Sequence, residues 1–364
     1  MRRDLSGGKI EWVQALRGLA AMMVVMFHAA PHWNTHPRLA PFTAQLHWGF
    51  SGVDIFFALS GFVVYRSAKS SIPAVGVGVF VARRAARIFS GYWPALLFVA
   101  VAGRVLFDTP LPPVEKMVFS VLLLYPSTFD NWLPAAWSLT FELYFCLWIA
   151  ALFACFERRR NMVIVGAVFF LIAWNAAWLA TAPELVYSER LPLRHWFTGL
   201  GVEFLTGALI AEAYDRKLLH QFDWRALALI GASLAVVGYA NGAMSPWFNR
   251  IEVLRAGSYG LAGLGFLLMA LALHLSPVKP PTWSVALGDA SFSLYLLHNF
   301  FLDASAHLRL EVLHQASRPT FFLLLLAPAL FALAAVGWYR LVERPIQRGL
   351  AQRIGVIDRA ANAN

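Results

Sequence analysis

Apolar runs of about twenty residues, set apart by short clusters of charge, proline and glycine, recur along the whole chain. That length matches a hydrocarbon slab about 30 Å thick. The runs predict ten transmembrane helices, near residues 12–31, 48–66, 88–107, 135–156, 162–181, 196–214, 225–241, 254–274, 288–307 and 320–341. A further apolar stretch, residues 117–125, has nine residues between Pro113 and Pro126. Too short to cross, it predicts a re-entrant or interfacial piece buried against protein. The first run follows Met-Arg-Arg as a signal peptide does, but Arg17 lies inside it and no small-residue cleavage site follows, so a retained helix is expected. No internal repeat is visible. The predicted fold class is therefore all-α, a polytopic integral membrane helix bundle in one domain. Residues 1–11 form an N-terminal segment, 12–345 the membrane domain and 346–364 a C-terminal tail.

Composition agrees with this pattern. Of the 364 residues 59% are apolar and only 14% charged, against roughly 25% in a soluble domain. A formal charge of +10 could signal nucleic acid, but the mean hydropathy of +0.60 and 14 Trp point to lipid instead. With the N-terminus placed in the cytoplasm, 20 of the 30 Lys/Arg fall in cytoplasmic segments, 8 on the opposite face and 2, Arg17 and Arg104, inside spans. The positive-inside rule then puts both termini in the cytoplasm. Cys146 and Cys155 lie in one apolar run, about 13 Å apart on a helix, too far for a disulfide.

An ionised side chain near the bilayer centre costs about 2.5 to 3.5 kcal/mol, so it needs a partner or a function. The spans hold six such candidates: Arg17, His28, Asp54, Glu142, Glu203 and His298. Arg17 and His28 are 11 residues apart, three turns and about 20°, so they share one helix face at two depths about 16 Å apart. Asp54 and Glu142, each early in a descending span, are expected near the depth of His28, where a carboxylate would orient the imidazole as a general base. Ser291, Tyr295 and His298 form one polar stripe. Helix-to-helix hydrogen bonding could account for any one of these residues; six together predict a water-accessible cavity. Glu203 is the weakest member, since pairing with Arg194 or Arg17 would explain it. Arg83, Arg84 and Arg87 sit just before the third span, where topology alone places cations, but guanidinium forks also bind phosphate. His32 and His36 have the spacing of a zinc pair, yet Pro31 and Pro37 break the helix that would present them. No metal is expected.

Several of these residues fall in motifs. Leu16-Arg17-Gly18-Leu19-Ala20 with His28 resembles the first-helix signature of transmembrane acyltransferase family 3, an Arg and a His separated by ten residues. The run from Gly52 to Phe62 is similar to the family's second motif, and Arg84 with Arg87-Ile88 to its basic stretch, although Ser90 replaces a common proline. Trp137-Ser138-Leu139-Thr140-Phe141-Glu142, the run from Ser291 to His298, and Glu343-Arg344-Pro345 resemble three later motifs. Residues 157 to 284 match none.

The resemblance implies O-acyl transfer, usually of acetyl, from cytoplasmic acyl-CoA to a hydroxyl of a membrane-linked glycan, by a multi-pass protein of the bacterial inner membrane. Acetyl-CoA would be the co-substrate and a lipid-linked glycan the acceptor. Membrane lipid and a polysaccharide assembly complex would be partners, and nucleic acid would not. The chain ends about twenty residues after the tenth predicted span, so a stand-alone enzyme without an appended esterase-like domain is expected, of the kind that decorates exopolysaccharide repeat units, such as the xanthan-type acetyltransferases. His28 would take the acceptor proton, with Asp54 or Glu142 orienting it. Arg17, Arg84 and Arg87 would hold the donor phosphates, and Ser138, Tyr295 or His298 would stabilise the oxyanion or position the acceptor. Direct transfer and an acyl-His28 intermediate are both open. So are two rivals: a proton-coupled secondary transporter, which predicts matched broken helices in two halves, and a non-catalytic scaffold, which needs no buried ionisable set.

The charge asymmetry gives a direct test. Reporter fusions after Arg160 and after Gln315 are expected to localise on opposite sides of the membrane; equal signals would overturn the orientation.

Overall fold

The computed structural model describes residues 9–34, 36–124, 131–181, 196–244, 252–312 and 318–361. Among these residues every regular element is helical. Helix α1 spans Glu11–Asn34, α2 Gly52–Phe107, α3 Val114–Leu122, α4 Trp137–Cys155, α5 Arg160–Thr181 and α6 Leu200–Asp215. The second half of the chain adds α7 Trp224–Ala243, α8 Leu261–Leu275, α9 Thr282–Asp289, α10 Ser291–Val312, α11 Arg318–Trp338 and α12 Arg344–Ala361. Apolar side chains point outward on α5 and α7, among them Phe169, Leu229 and Val236, as lipid-facing helices require.

Seven described segments are long and apolar enough to cross a membrane, and eight if the bent pair α9 and α10, which turn by 72°, counts as one span. The difference from ten has local causes. Two predicted spans, 48–66 and 88–107, are the two helices on either side of Gly76 within α2, counted there as one segment; the φ of 78° at Gly76, a left-handed backbone that glycine alone adopts freely, interrupts the helix between them. The predicted span at 196–214 folds as α6, whose 16 residues fall short of a bilayer crossing. The tail expected at 346–364 continues the chain as α12.

Close backbone approaches set the bundle. A Cβ on Gly61 of α2 would fall 1.8 Å from the Phe204 carbonyl oxygen of α6, and one on Gly207 of α6 would fall 2.2 Å from the Ala58 carbonyl oxygen. Such contact is how apolar helices associate without a hydrophobic driving force. Gly288 of α9 likewise meets the Gln14 carbonyl of α1, where a Cβ would sit at 1.9 Å. That contact holds the start of α10 beside α1.

The short apolar stretch forms α3, and its C-terminal end is tied into the protein. Tyr92 Oη donates to Ser120 O at 2.8 Å, Trp93 Nε1 to Val121 O at 2.9 Å and Tyr144 Oη to Leu124 O at 3.0 Å. Carbonyls at this helix end thus accept hydrogen bonds from side chains of α2 and α4. Two π-helical segments, Ala256–Gly260 before α8 and Tyr339–Glu343 before α12, interrupt the regular helices. Wide turns of this kind gather at functional sites, and here one follows Arg255 and the other ends on Glu343.

Candidate active site

Two cavities meet inside the bundle. The larger, about 320 Å³, lies between α1, both halves of α2, α4 and α10. Arg17, Arg84 and Arg87 reach it, together with Glu142, Glu343 and Ser138. Arg84 is buried and its Nη2 stands 3.6 Å from Glu142 Oε1, which also accepts from Ser60 Oγ at 3.2 Å. Glu343 is buried as well, accepting from the Ser293 hydroxyl and, at 2.9 Å, from Gln347 Nε2 in the first turn of α12. Arg17 feels both carboxylates. Three guanidinium groups therefore share two carboxylates, and the cavity keeps an excess of positive charge. Lys9, held to Asp289 at 2.5 Å, stands at the same cavity. Arg83 does not line it.

The smaller cavity, about 160 Å³, is lined by His28, His298, Arg255, Asn299 and Trp137. His28 Nδ1 lies 2.9 Å from Val24 O, and the His28 and His298 ring centroids are 4.8 Å apart. Tyr295 and Val53 line both cavities. Between them the Tyr295 hydroxyl shares a 2.9 Å hydrogen bond with Ser138 Oγ, and Phe56 packs edge-on against the Tyr295 ring. Arg17 and His28 thus open into different cavities from one helix face, as the 11-residue spacing requires.

The expected partnership of Asp54 with His28 is not what the structure forms. Asp54 is fully buried, and Arg255 donates to both its oxygens, Nε to Oδ1 at 2.7 Å and Nη2 to Oδ2 at 2.8 Å. A side-on guanidinium fork satisfies a carboxylate better than one imidazole does. Glu142 likewise faces Arg84. The carboxylates position arginines, and the main chain orients His28. Arg255 stands at the edge of a predicted span, among the loop cations, so neither hydropathy nor motif singles it out. Glu343 was legible only as part of its Glu-Arg-Pro motif. Glu203 lines neither cavity; its side chain lies against Gly260, where a Cβ would come within 2.6 Å of Oε1. Of its two expected partners, Arg194 lies outside the described residues, as do the first eight residues, and Arg17 faces Glu142 and Glu343 instead. Among the described residues no group of three His, Cys, Asp or Glu is placed to hold a metal ion.

The family of acyltransferase domains matches residues 10–338. The chain is similar to the exopolysaccharide production protein ExoZ of Rhizobium meliloti, 29% identical over 354 residues, covering 93% of this chain and 100% of the relative. It is also similar to the Bacillus subtilis protein named "Putative peptidoglycan O-acetyltransferase YrhL", 22% identical over 93% of this chain and 55% of the relative. A third similarity, 40% identical over 48% of this chain and 45% of the relative, is to the Komagataeibacter xylinus protein named "Putative membrane-bound transacylase BcsY". No solved structure matches the chain.

The buried ion pair makes a stability prediction. Asp54→Ala should lower the stability of the detergent-purified protein by about 3 to 5 kcal/mol, because it leaves the Arg255 charge without its carboxylate. Adding Arg255→Leu should recover most of that loss in thermal denaturation. Two losses that simply add would mean that the groups are not coupled.

Proposed function

The chain belongs to acyltransferase family 3, and from that premise we propose that it moves an acyl group, acetyl in the first instance, from acyl-CoA to a sugar hydroxyl of a membrane-linked exopolysaccharide repeat unit. The observation that carries this reading is the common wall: a cationic cavity and an imidazole-lined cavity share Tyr295 and Val53. In this reading the larger cavity opens to the cytoplasm. Arg17, Arg84 and Arg87 take the donor phosphates, since guanidinium groups bind phosphate through paired hydrogen bonds.

In the smaller cavity His28 acts as general base. Its Nε2 takes the proton of the acceptor hydroxyl while the oxygen attacks the thioester carbonyl carbon. The developing oxyanion is met by a hydroxyl hydrogen of the Tyr295–Ser138 pair. As the tetrahedral centre collapses, the carbon–sulfur bond breaks and the thiolate recovers the proton from His28. Atoms and charge balance, and the imidazole ends as it began. Glu142 and Asp54 act one step away, by fixing Arg84 and Arg255. The likeness to ExoZ, which covers that relative from end to end, favours an exopolysaccharide acceptor over a peptidoglycan one. The secondary-transporter alternative finds no support in the family assignment.

Two experiments test the proposal. Replacing Arg84 and Arg87 together by Gln should weaken acetyl-CoA binding and flatten its dependence on salt, whereas Arg83→Gln, outside the cavity, should change neither. Unchanged affinity in the double variant would reduce the pair to a topology signal.

His28→Ala should fold, reach the membrane and bind acetyl-CoA, yet lose glycan acylation by at least about 10²-fold, the contribution expected of a general base. Arg17→Ala should also lose activity, and raising acetyl-CoA should partly restore it. Near-normal turnover by His28→Ala, measured as ester content of the glycan by proton NMR, would overturn the assignment of the base.

A further inference from the structure

Both imidazoles of the smaller cavity spend Nδ1 on the main chain. His28 Nδ1 lies 2.9 Å from Val24 O and His298 Nδ1 lies 2.6 Å from Tyr295 O. A carbonyl oxygen only accepts, so each Nδ1 carries the hydrogen; with Arg255 in the same cavity and no carboxylate among its lining residues, nothing there holds a second proton, and each Nε2 keeps its lone pair. His298 is fully buried, lines the cavity, and its Nε2 meets no hydrogen-bond partner among the described residues. An unsatisfied acceptor at that depth, on the wall of a cavity, marks where a donor belongs. It also excludes one role open to His298 on sequence grounds: a neutral imidazole with a bare Nε2 cannot donate to an oxyanion.

We propose that His298 holds a second hydroxyl of the acceptor, next to the one that reacts at His28. The substrate class is then a saccharide whose acylated oxygen has a free neighbour in a 1,2- or 1,3-diol. This rests on the acyltransfer reading above and deepens it. Two imidazole acceptors with ring centroids 4.8 Å apart receive two hydroxyl hydrogens side by side. Asn299 brings an amide and Arg255 a guanidinium to the same cavity, and Trp137 an aromatic wall. Donors, acceptors and one apolar plate are what a polyol requires, and the pair of neutral rings leaves no charge there that demands an anionic group. The reacting hydroxyl hydrogen goes to His28, while His298 accepts a hydrogen bond and no proton.

The test uses full-length protein in proteoliposomes, acetyl-CoA, and octyl glucoside, galactoside and mannoside below their micellar concentrations, with the monodeoxy analogues of whichever is acylated. Product NMR gives the position of the ester. For the wild type, removing one hydroxyl in a 1,2 or 1,3 relation to that position should raise the acceptor KM about tenfold, the value of one hydrogen bond, with kcat changed far less. His298→Leu should show the same rise with the parent glycoside and no further rise with that deoxy analogue. His298→Gln, whose Oε1 accepts at a similar reach, should recover most of the loss. Should His298→Leu fail to fold, the Gln variant and the wild-type deoxy series decide the matter. A fall in kcat at constant KM for His298→Leu, or losses that multiply between the variant and the deoxy analogue, would overturn the proposal. If the wild type binds acetyl-CoA but acylates no glycoside, the acyltransfer reading falls and this inference with it.

Discussion

A guanidinium group inside a helix bundle needs a carboxylate, and the way this protein meets that need shapes both of its cavities. Arg255 is neutralised completely, by a two-point contact with a carboxylate that has no exposed surface. Arg17, Arg84 and Arg87 are neutralised incompletely, because Glu142 and Glu343 are the carboxylates that they share. Glu142 stands 3.6 Å from Arg84, looser than the Asp54 pair. The consequence is a polar bundle with two electrostatic compartments. One keeps a surplus of positive charge and suits a polyanionic donor. The other, lined by two neutral imidazoles and a compensated arginine, suits an uncharged acceptor.

That division depends on backbone contact as much as on charge. The second motif, from Gly52 to Phe62, carries Asp54 between two glycines that press α2 against its neighbours. A Cβ on Gly52 would fall 2.3 Å from Ala20 O of α1, and Gly61 meets α6. Gly263 of α8 sits against the Asp54 main chain, where a Cβ would come within 3.0 Å. The approach of α8 brings Arg255 within reach of the buried carboxylate. The glycines are therefore conditions for the ion pair, and any side chain there would push the charges apart before it touched a substrate.

Much of this was legible along the chain, and what was not has a common cause. Hydropathy located the apolar segments, because a bilayer imposes one length on every crossing. It could not place the break between the two that make up α2, since that depends on the backbone at Gly76. Helical periodicity placed Arg17 and His28 on one face, because that relation is internal to one helix. Relations between helices were out of reach: Asp54 and Arg255 are 201 residues apart, and Ser138 and Tyr295 are 157 apart. Hydropathy places Asp54 at a depth where the nearest titratable group expected is His28. Packing gave it to an arginine that hydropathy had left at a span's edge. Of the residues expected to act together, Arg17, Arg84, Arg87, Glu142, Ser138 and Tyr295 do share one cavity, while His28 and His298 share the other.

The wall between the compartments bears on a difficulty common to all acyl transfer, the competition of water for the acyl group. Tyr295 is 6% exposed and stands between the cavities with its ring against Phe56 and its hydroxyl bound to Ser138. The charged compartment, with its guanidinium and carboxylate groups, is the one that water hydrates best. His28, the proposed base, sits on the far side of the wall, in about half the volume. There a single water can satisfy one imidazole, whereas the diol proposed above would engage both at once, and two linked hydroxyls bound together have an entropic advantage over two separate waters. Under the proposed function, selectivity for a sugar over water would follow from placing two lone pairs side by side behind an apolar partition, and it would require no group that recognises water in order to reject it.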